Sequence, residues 1–304
     1  MASVMAISGS IQARLLRILF DEEWVIGALR SGGPLAAEKG IGGSVLLEPP
    51  PGFQYADPFV ICEAGITYVF FEALGGLKPK GVLLFTTLNS QGHWGEPQVA
   101  LERPYHLSYP FVFKWRSDFY MLPETRQNRT IELYHAAKFP TTWELASVLM
   151  DNVDAVDTTL FEENGRWWMF TAGLGDSAAR FQNLSVFHAP SPFGPWKAHS
   201  RNPVVSDLGS ARPAGRLFID NGQLIRPGQD CRLRYGHAIA WNRIDMLSDY
   251  EYRETRVATL RPKLLDGWLA MHTFNQVGEW QVLDGKRLTR RLRENQLLRH
   301  GTYL

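Results

Sequence analysis

Four ionisable residues recur at nearly even spacing along this 304-residue chain: Asp57, Tyr109, Asp157 and Arg212, separated by 52, 48 and 55 residues. Each opens a similar phrase, in which a short apolar stretch is followed by a turn and a second apolar stretch. The repetition predicts that the four side chains occupy equivalent places in successive units and meet. Because ionisable groups are rarely buried without a partner, such a group indicates a binding or catalytic site.

Two further acids fall on the strands that return from these positions. Glu72 lies 15 residues after Asp57, and Glu124 follows Tyr109 at the same interval. Asp57, Asp157 and Glu124 would supply the carboxylates of glycoside hydrolysis, in which one acid protonates the leaving oxygen and another activates water or attacks the sugar. A third acid can raise its neighbour's pKa by repulsion. The alternative is a structural role in salt bridges or turns, which we favour for Glu72.

The fourth copy is polar where the other copies are apolar. Arg212 and Arg216 could together clamp a carboxylate, a phosphate or vicinal hydroxyl groups. Gln229 and Asp230 fall near the end of the returning strand, and we expect both at the same mouth as substrate-binding residues, unless they form a buried network that braces the unit. His272 is a further substrate-binding candidate, although a lone histidine is more often structural.

A period near 50 residues with short strands in each copy is typical of a β-propeller blade. The pattern predicts an all-β fold with five four-stranded blades around a central funnel, formed by one domain over residues 1–304. Residues 1–23 are expected to form an arm or a short helix, and residues 288–304 a tail. Residues 24–29 read as a strand that closes the ring with the last blade and removes an open sheet edge.

Within this arrangement, the last blade is expected to contain strands at 268–274 and 279–283. A turn at Asp284-Gly285 should follow, because this pair is typical of tight hairpins. In three blades a tryptophan opens the fourth predicted strand, namely Trp94, Trp143 and Trp196. Such a repeated aromatic is expected to pack between blades.

Composition excludes several classes of function. The net charge of +1 predicts no broad attraction to nucleic acid or to an anionic membrane. The two cysteines, Cys62 and Cys231, do not form a disulfide framework, and we expect both to be buried free thiols. No Cys/His spacing suggests zinc, and no phosphate-binding glycine loop occurs, so neither a metal nor a cofactor is predicted.

The expected partner is a carbohydrate or a sugar-containing small molecule. The sequence shows no secretory leader and no apolar run of membrane-spanning length, so a cytoplasmic location without membrane insertion is expected. The oligomeric state is left open.

The motif Ala56-Asp57-Pro58-Phe59 is similar to the opening blade of the five-bladed propellers of glycoside hydrolase family 43. This resemblance implies that Asp57 is a general base and that Asp157 tunes the pKa of the acid and orients the substrate. The family usually carries its acid as a glutamate in the fourth blade. Here Arg212-Pro213-Ala214-Gly215 takes that place, so either Glu124 is the acid or the hydrolytic mechanism is lost.

From about residue 24 to 286 the chain more closely resembles the propeller domain at the N-terminus of plant glucosamine inositolphosphorylceramide transferases and their bacterial relatives. The similarity lies in the segments Leu107-Ser108-Tyr109-Pro110-Phe111-Val112-Phe113, Tyr120-Met121-Leu122-Pro123-Glu124, Arg166-Trp167-Trp168-Met169-Phe170, Arg212-Pro213-Ala214-Gly215-Arg216 and Gln229-Asp230-Cys231. The resemblance implies a sugar ligand. From the acids at the mouth we expect a hydrolase of furanosides or related sugars; the alternatives are a non-hydrolytic carbohydrate-binding domain in glycan or glycolipid synthesis and a propeller that acts on a specialised metabolite.

Overall fold

The computed structural model describes residues 20–30, 41, 43–76, 79–175, 181–263 and 267–290. Five antiparallel sheets follow one another along the chain, which confirms the predicted five-bladed β-propeller with four-stranded blades. The described residues contain no α-helix, and a short 3-10 segment spans Arg126–Asn128. No helix in the described part of the chain is long and apolar enough to cross a membrane.

Four of the blades are built in chain order from the innermost strand outward. Their strands are as follows. Blade one contains β3 (Phe53–Glu63), β4 (Ile66–Gly75), β5 (Val82–Leu88) and β6 (Gln98–Leu101). Blade two contains β7 (Ser108–Trp115), β8 (Asp118–Thr125), β9 (Thr130–Lys138) and β10 (Thr142–Asp151). Blade three contains β11 (Val156–Glu163), β12 (Arg166–Ala172), β13 (Asn183–Ala189), β14 (Lys197–Ala198) and β15 (Val205–Ser206). Blade four contains β16 (Phe218–Asp220), β17 (Gln223–Asp230), β18 (Ala238–Leu247) and β19 (Tyr252–Leu260).

The fifth blade joins the two ends of the described chain. It combines β1 (Phe20–Arg30) and β2 (Val45–Leu47) with β20 (Trp268–Ala270), β21 (Phe274–Val277) and β22 (Trp280–Arg290). Strands β1 and β22 pair antiparallel along their whole length. The prediction that an N-terminal strand closes the ring is therefore confirmed.

The predicted turn at Asp284-Gly285 is wrong. Both residues lie inside β22, opposite Ile26 and Val25 of β1. Pairing with β1 overrides the local turn preference, and the glycine serves a different purpose. A Cβ at Gly285 would lie 2.7 Å from Ile41 and 2.9 Å from Trp268, so the glycine permits close packing.

The ends of the blades differ from the sequence-based bounds. Strand β1 begins at Phe20, within the predicted arm, and β22 runs to Arg290, within the predicted tail. The rest of the predicted helix before residue 20 lies outside the described residues. The strand expected over 268–274 is divided into β20 and β21, which both pair with β22.

Aromatic side chains fill the spaces between blades, as the sequence indicated. The Trp143 ring of blade two lies 5.7 Å from the Phe70 ring of blade one. Trp94 of blade one donates its indole N–H to the Val45 carbonyl oxygen of the fifth blade at 3.2 Å. Trp196 packs against the core shared by blades one, two and three. These contacts fix the orientation of neighbouring blades and therefore the shape of the funnel.

The two cysteines are less buried than predicted. Cys62 is exposed, because it lies near the outer end of β3, and Cys231 is partly buried just after β17. Both are free thiols.

Candidate functional site

Three of the four repeat positions share one backbone feature. Asp57, Tyr109 and Asp157 have φ values of 53°, 46° and 51°, in the left-handed region. At each of them the pairing register of the inner strand shifts, so the residue sits in a bulge. Non-glycine residues rarely adopt this conformation, and strain of this kind concentrates at functional sites. The bulges present three equivalent side chains to the funnel mouth.

Arg212 reaches the same place by another route. It precedes the short strand β16, and its carbonyl oxygen accepts a hydrogen bond from the Gln229 N–H at 2.7 Å. A single bridge between Pro213 and Gly228 continues this pairing. This interrupted inner strand accounts for the weaker resemblance of the fourth copy to the other three.

The Asp57 carboxylate is buried and held by neighbours from two blades. It accepts hydrogen bonds from the Thr273 hydroxyl at 2.6 Å and from the Tyr109 N–H at 3.3 Å. Burial is the largest cause that raises its pKa, to about 6; Asp157 and Asp284 act in the same direction, and His272 opposes them. Asp57 therefore titrates near neutral pH.

Asp284 is a site residue that sequence reasoning missed, because its pair with glycine predicted a turn. The fully buried carboxylate accepts hydrogen bonds from the N–H groups of Asp57 at 3.0 Å, His272 at 2.8 Å and Thr273 at 3.0 Å. Its Oδ2 also lies 2.6 Å from Nδ1 of His272. Asp284 thus fixes the first blade to the last at the centre of the site.

His272 lies beside Asp57 and Asp284. Burial disfavours its charged form, but Asp284 and Asp57 outweigh that effect and raise its pKa. The ring stacks on Trp24 at 4.1 Å and meets the edge of Tyr235 at 5.2 Å. Tyr235 is 40% exposed, so this aromatic group extends from the buried acids to the surface.

On the side of the site away from Asp284 and His272, the positive charge is the Arg212 guanidinium. It forms a two-pronged ion pair with Asp157, through Nε to Oδ2 and through Nη2 to Oδ1 at 3.2 Å. Nη2 also lies 3.8 Å from Oε2 of Glu124. The Gln229 amide adds a 2.9 Å hydrogen bond to Asp157, and the Arg212 guanidinium stacks over Tyr235 at 5.0 Å.

Glu124 and Glu72 lie beside this group, each on the strand next to the inner one. Burial raises the pKa of Glu124 to about 8; the Asp157 charge adds to this shift, and Arg212 opposes it. Glu124 also accepts a 3.3 Å hydrogen bond from the Asp157 N–H. The pKa of Glu72 is raised well above its ordinary value, first by burial and then by the surrounding acids. Its Oε1 lies 3.2 Å from Nε2 of His106.

The cluster of acids at the funnel mouth opens to solvent through a cleft. Glu124 and His106 border a cleft of about 600 Å³ between blades one and two, together with Lys80 and Arg126. A volume of this size is in the usual range for a small-molecule site. Glu124 is the acid of this group that lines the cleft.

Tyr109 joins three blades. Its buried hydroxyl lies 2.9 Å from the Thr159 hydroxyl and accepts a 2.7 Å hydrogen bond from the Gly215 N–H. The tyrosine therefore closes the funnel beneath the acids, and its hydroxyl is occupied by protein groups.

Two of the predicted site residues point elsewhere. Asp230 is buried, but it pairs with Arg232, whose Nε donates to it at 2.9 Å, and with Arg256 at 3.8 Å. Adjacent strand residues face opposite sides, so Gln229 reaches Asp157 while Asp230 braces the blade. Arg216 does not join Arg212 in a clamp; its guanidinium donates to the Val112 carbonyl oxygen, further along the channel.

Asp57, His272 and Asp284 have ligand-type atoms within 4.8 Å of one another, the arrangement of a candidate cation site. The carboxylate oxygens, however, already accept the N–H and O–H groups described above. These contacts occupy part of the acceptor capacity of each carboxylate, and the chemistry below uses no metal.

The chain matches the family described as "Glucosamine inositolphosphorylceramide transferase 1, N-terminal" over residues 47–274. It is 37% identical over 212 residues to glucosamine inositolphosphorylceramide transferase 1 of Oryza sativa subsp. japonica. The aligned region covers 68% of this chain and 28% of that relative, so the chain spans little more than a quarter of its length.

Two solved structures share the fold. The family 117 glycoside hydrolase Zg3597 of Zobellia galactanivorans superposes with a TM-score of 0.57 at 11% identity, over 92% of this chain and 99% of that one. An α-L-arabinanase of Cellvibrio cellulosa complexed with arabinohexaose gives 0.53 at 14% identity, over 79% and 93% of the two chains. At these identities the likeness establishes the fold.

Proposed function

This chain belongs to the family of glucosamine inositolphosphorylceramide transferase N-terminal domains, and we propose that it binds a carbohydrate at the funnel mouth without hydrolysing it. In this role it would be an accessory domain in glycan or glycolipid synthesis. The observation that carries the proposal is the position of Arg212, which pairs with Asp157 and lies beside Glu124. Two of the three acids predicted for hydrolysis are thus partnered by one guanidinium.

This pairing opposes hydrolysis and favours binding. A general acid must direct its proton at the glycosidic oxygen, whereas Oε2 of Glu124 is turned toward Arg212 and the Asp157 N–H. A rigid set of charged donors and acceptors is suited to hydroxyl groups, because hydrogen bonds to charged groups are stronger than neutral ones. The exposed Tyr235 ring would cover one apolar face of the sugar.

The relatives' name suggests the first ligands to test. Glucosamine, myo-inositol and inositol phosphates would be titrated calorimetrically, with arabinofuranosides beside them. Asp57→Asn should reduce the affinity for the tightest-binding ligand by at least about tenfold, which is the effect of losing one charge-assisted hydrogen bond. Asp118→Asn, a matched change at an exposed aspartate, should leave affinity unchanged. Equal affinity for wild type and Asp57→Asn, or no binding by the whole panel, would rule out this function.

A second candidate, glycoside hydrolysis, is favoured by one observation. Glu124, with a pKa of about 8, would be protonated at neutral pH, and Asp57, with a pKa of about 6, would be largely ionised. That order suits Glu124 as acid and Asp57 as base. Turnover of aryl furanosides that is abolished in both Glu124→Gln and Asp57→Asn would establish this activity in place of binding alone.

A further inference from the structure

Arg216 is a half-buried arginine without an acidic partner. Among the described residues, no carboxylate oxygen lies within 4.0 Å of its guanidinium. The guanidinium lies over the Phe111 ring at 4.7 Å and donates Nη2 to the Val112 carbonyl oxygen. By contrast, Arg212 and Arg226, which are also buried, each hold a carboxylate. Arg216 therefore keeps unused N–H donors.

Burial has an electrostatic consequence for this side chain. It lowers the pKa of Arg216 to about 10, because the charged form is poorly solvated and no acid compensates. An anion from outside the protein would supply the missing charge.

Arg216 opens onto a cavity of about 470 Å³, which we call the Arg216 cavity. Its apolar wall is formed by Trp115, Trp167 and Phe161, and its other cations are Lys114 and Arg116. This size and this mixture of aromatic walls with a few polar groups are typical of small-molecule sites.

The charges around the cavity are unbalanced. Lys114 is neutralised by Glu63 at 2.7 Å. Glu162, the acid in the cavity wall, accepts the Gly165 N–H but keeps its negative charge, which Arg116 and Arg216 together exceed by one positive charge. Arg116 lies over the Trp115 ring at 4.4 Å, and the described residues place no carboxylate beside it. Two guanidinium groups and an aromatic wall therefore share the cavity.

The Arg216 cavity is separate from the carboxylate group. Trp115, in the far wall of the cavity, lies six residues after Tyr109 along β7, roughly 20 Å further down the channel at about 3.3 Å per residue. Arg216 is nearer, since it donates to Val112, three residues after Tyr109. Phe161 occupies the corresponding stretch of β11. The cavity lies toward the far ends of the inner strands, opposite the funnel mouth.

We propose that the Arg216 cavity binds an anionic sugar, a ring that carries a phosphate or carboxylate group. The Arg216 fork matches the oxygens of either anion, and Arg116 adds a second charge at the rim. Trp115 and Trp167 would bury the apolar face of the ring. This second site is independent of the function proposed for the funnel mouth.

The test is a set of titrations with glucose, glucose 6-phosphate, glucuronate and inorganic phosphate. We expect one or both charged sugars to bind at least tenfold more tightly than glucose, and added salt to weaken them. Arg216→Gln should reduce that affinity tenfold or more, and Arg116→Gln should reduce it less. Arg166→Gln, a change at an exposed arginine paired with Asp249, should have no effect.

The comparison also identifies which anion is preferred, since phosphate and carboxylate sugars are measured separately. Asp57→Asn should leave this binding intact, which distinguishes the two sites. If Arg216→Gln does not fold, Arg116→Gln and Arg216→Lys provide the same comparison. Equal binding of glucose and its charged analogues, unchanged affinity in both arginine variants, or no binding of any charged sugar would overturn the proposal.

Discussion

The guanidinium of Arg212 determines how the acids at the funnel mouth are used. It pairs with Asp157 from the neighbouring blade and lies beside Glu124, while Gln229 supplies a further donor to Asp157. Desolvated charges are tolerated only when paired and hydrogen-bonded, so these residues form one interdependent unit. The unit holds charged donors and acceptors rigidly in place, which suits the recognition of hydroxyl groups.

Removal of Arg212 should therefore destabilise the protein. Arg212→Gln leaves the buried Asp157 carboxylate without its cation, and the expected loss is about 3–5 kcal/mol in the free energy of unfolding. Arg166→Gln, at an exposed ion pair with Asp249, should cost no more than about 1 kcal/mol. Urea denaturation of the two variants checks this prediction. Equal small losses would show that the Arg212–Asp157 pair stabilises the protein no more than an exposed ion pair does.

The raised pKa values predict a dependence of stability on pH. Glu124 has an ordinary pKa of 4.5 in the unfolded chain and about 8 in the folded protein, so the folded state binds its proton more tightly. Stability should fall as pH rises from about 4.5 to 8, by an amount on the order of 3 kcal/mol for this group. Glu124→Gln should show a smaller fall, measured as the denaturation midpoint at pH 5 and pH 8. Glu144→Gln, at an exposed position, is the control; a steeper fall in Glu124→Gln than in the control would contradict the assignment.

At the level of strands, the bulges at Asp57, Tyr109 and Asp157 bring the repeat positions to one mouth. The regular spacing of these residues made their meeting predictable from the sequence. The bulges themselves were not, because a left-handed tyrosine is locally unfavourable and is held by contacts from other blades. Asp284 was missed for the same reason, since pairing across the sheet outweighs a two-residue turn signal.

The pairing of β1 with β22 closes the ring, and substitutions there should affect the whole protein. Ile26, fully buried in β1, faces the core between the fifth and first blades. Ile26→Ala should cost about 2–5 kcal/mol, from lost burial and the cavity that remains. Leu288→Ala on the partner strand, where the side chain is 39% exposed, should cost much less. Similar effects of the two changes on the denaturation midpoint would show that closure does not depend on this contact.

At the scale of the molecule, the propeller separates two kinds of chemistry along one channel. Acids from blades one, two, three and five collect at the mouth, and the arginines of the Arg216 cavity lie toward the far end. The sequence predicted the five blades and the meeting of the repeat positions at the funnel mouth, because both follow from the length of the repeat and from the types of residue at equivalent positions. It placed Arg216 at the wrong end and Asp230 on the wrong side, because their directions depend on how the interrupted fourth blade turns.

The most direct test of the binding function follows the fate of a bound sugar. The tightest oligosaccharide or glycoside from the titration panel would be incubated with wild-type protein and with Asp57→Asn, and released reducing ends would be quantified. We expect wild type to bind the sugar and return it intact, and Asp57→Asn to bind it more weakly. Cleavage by wild type that disappears in Asp57→Asn would contradict a binding role and identify the site as that of a glycosidase.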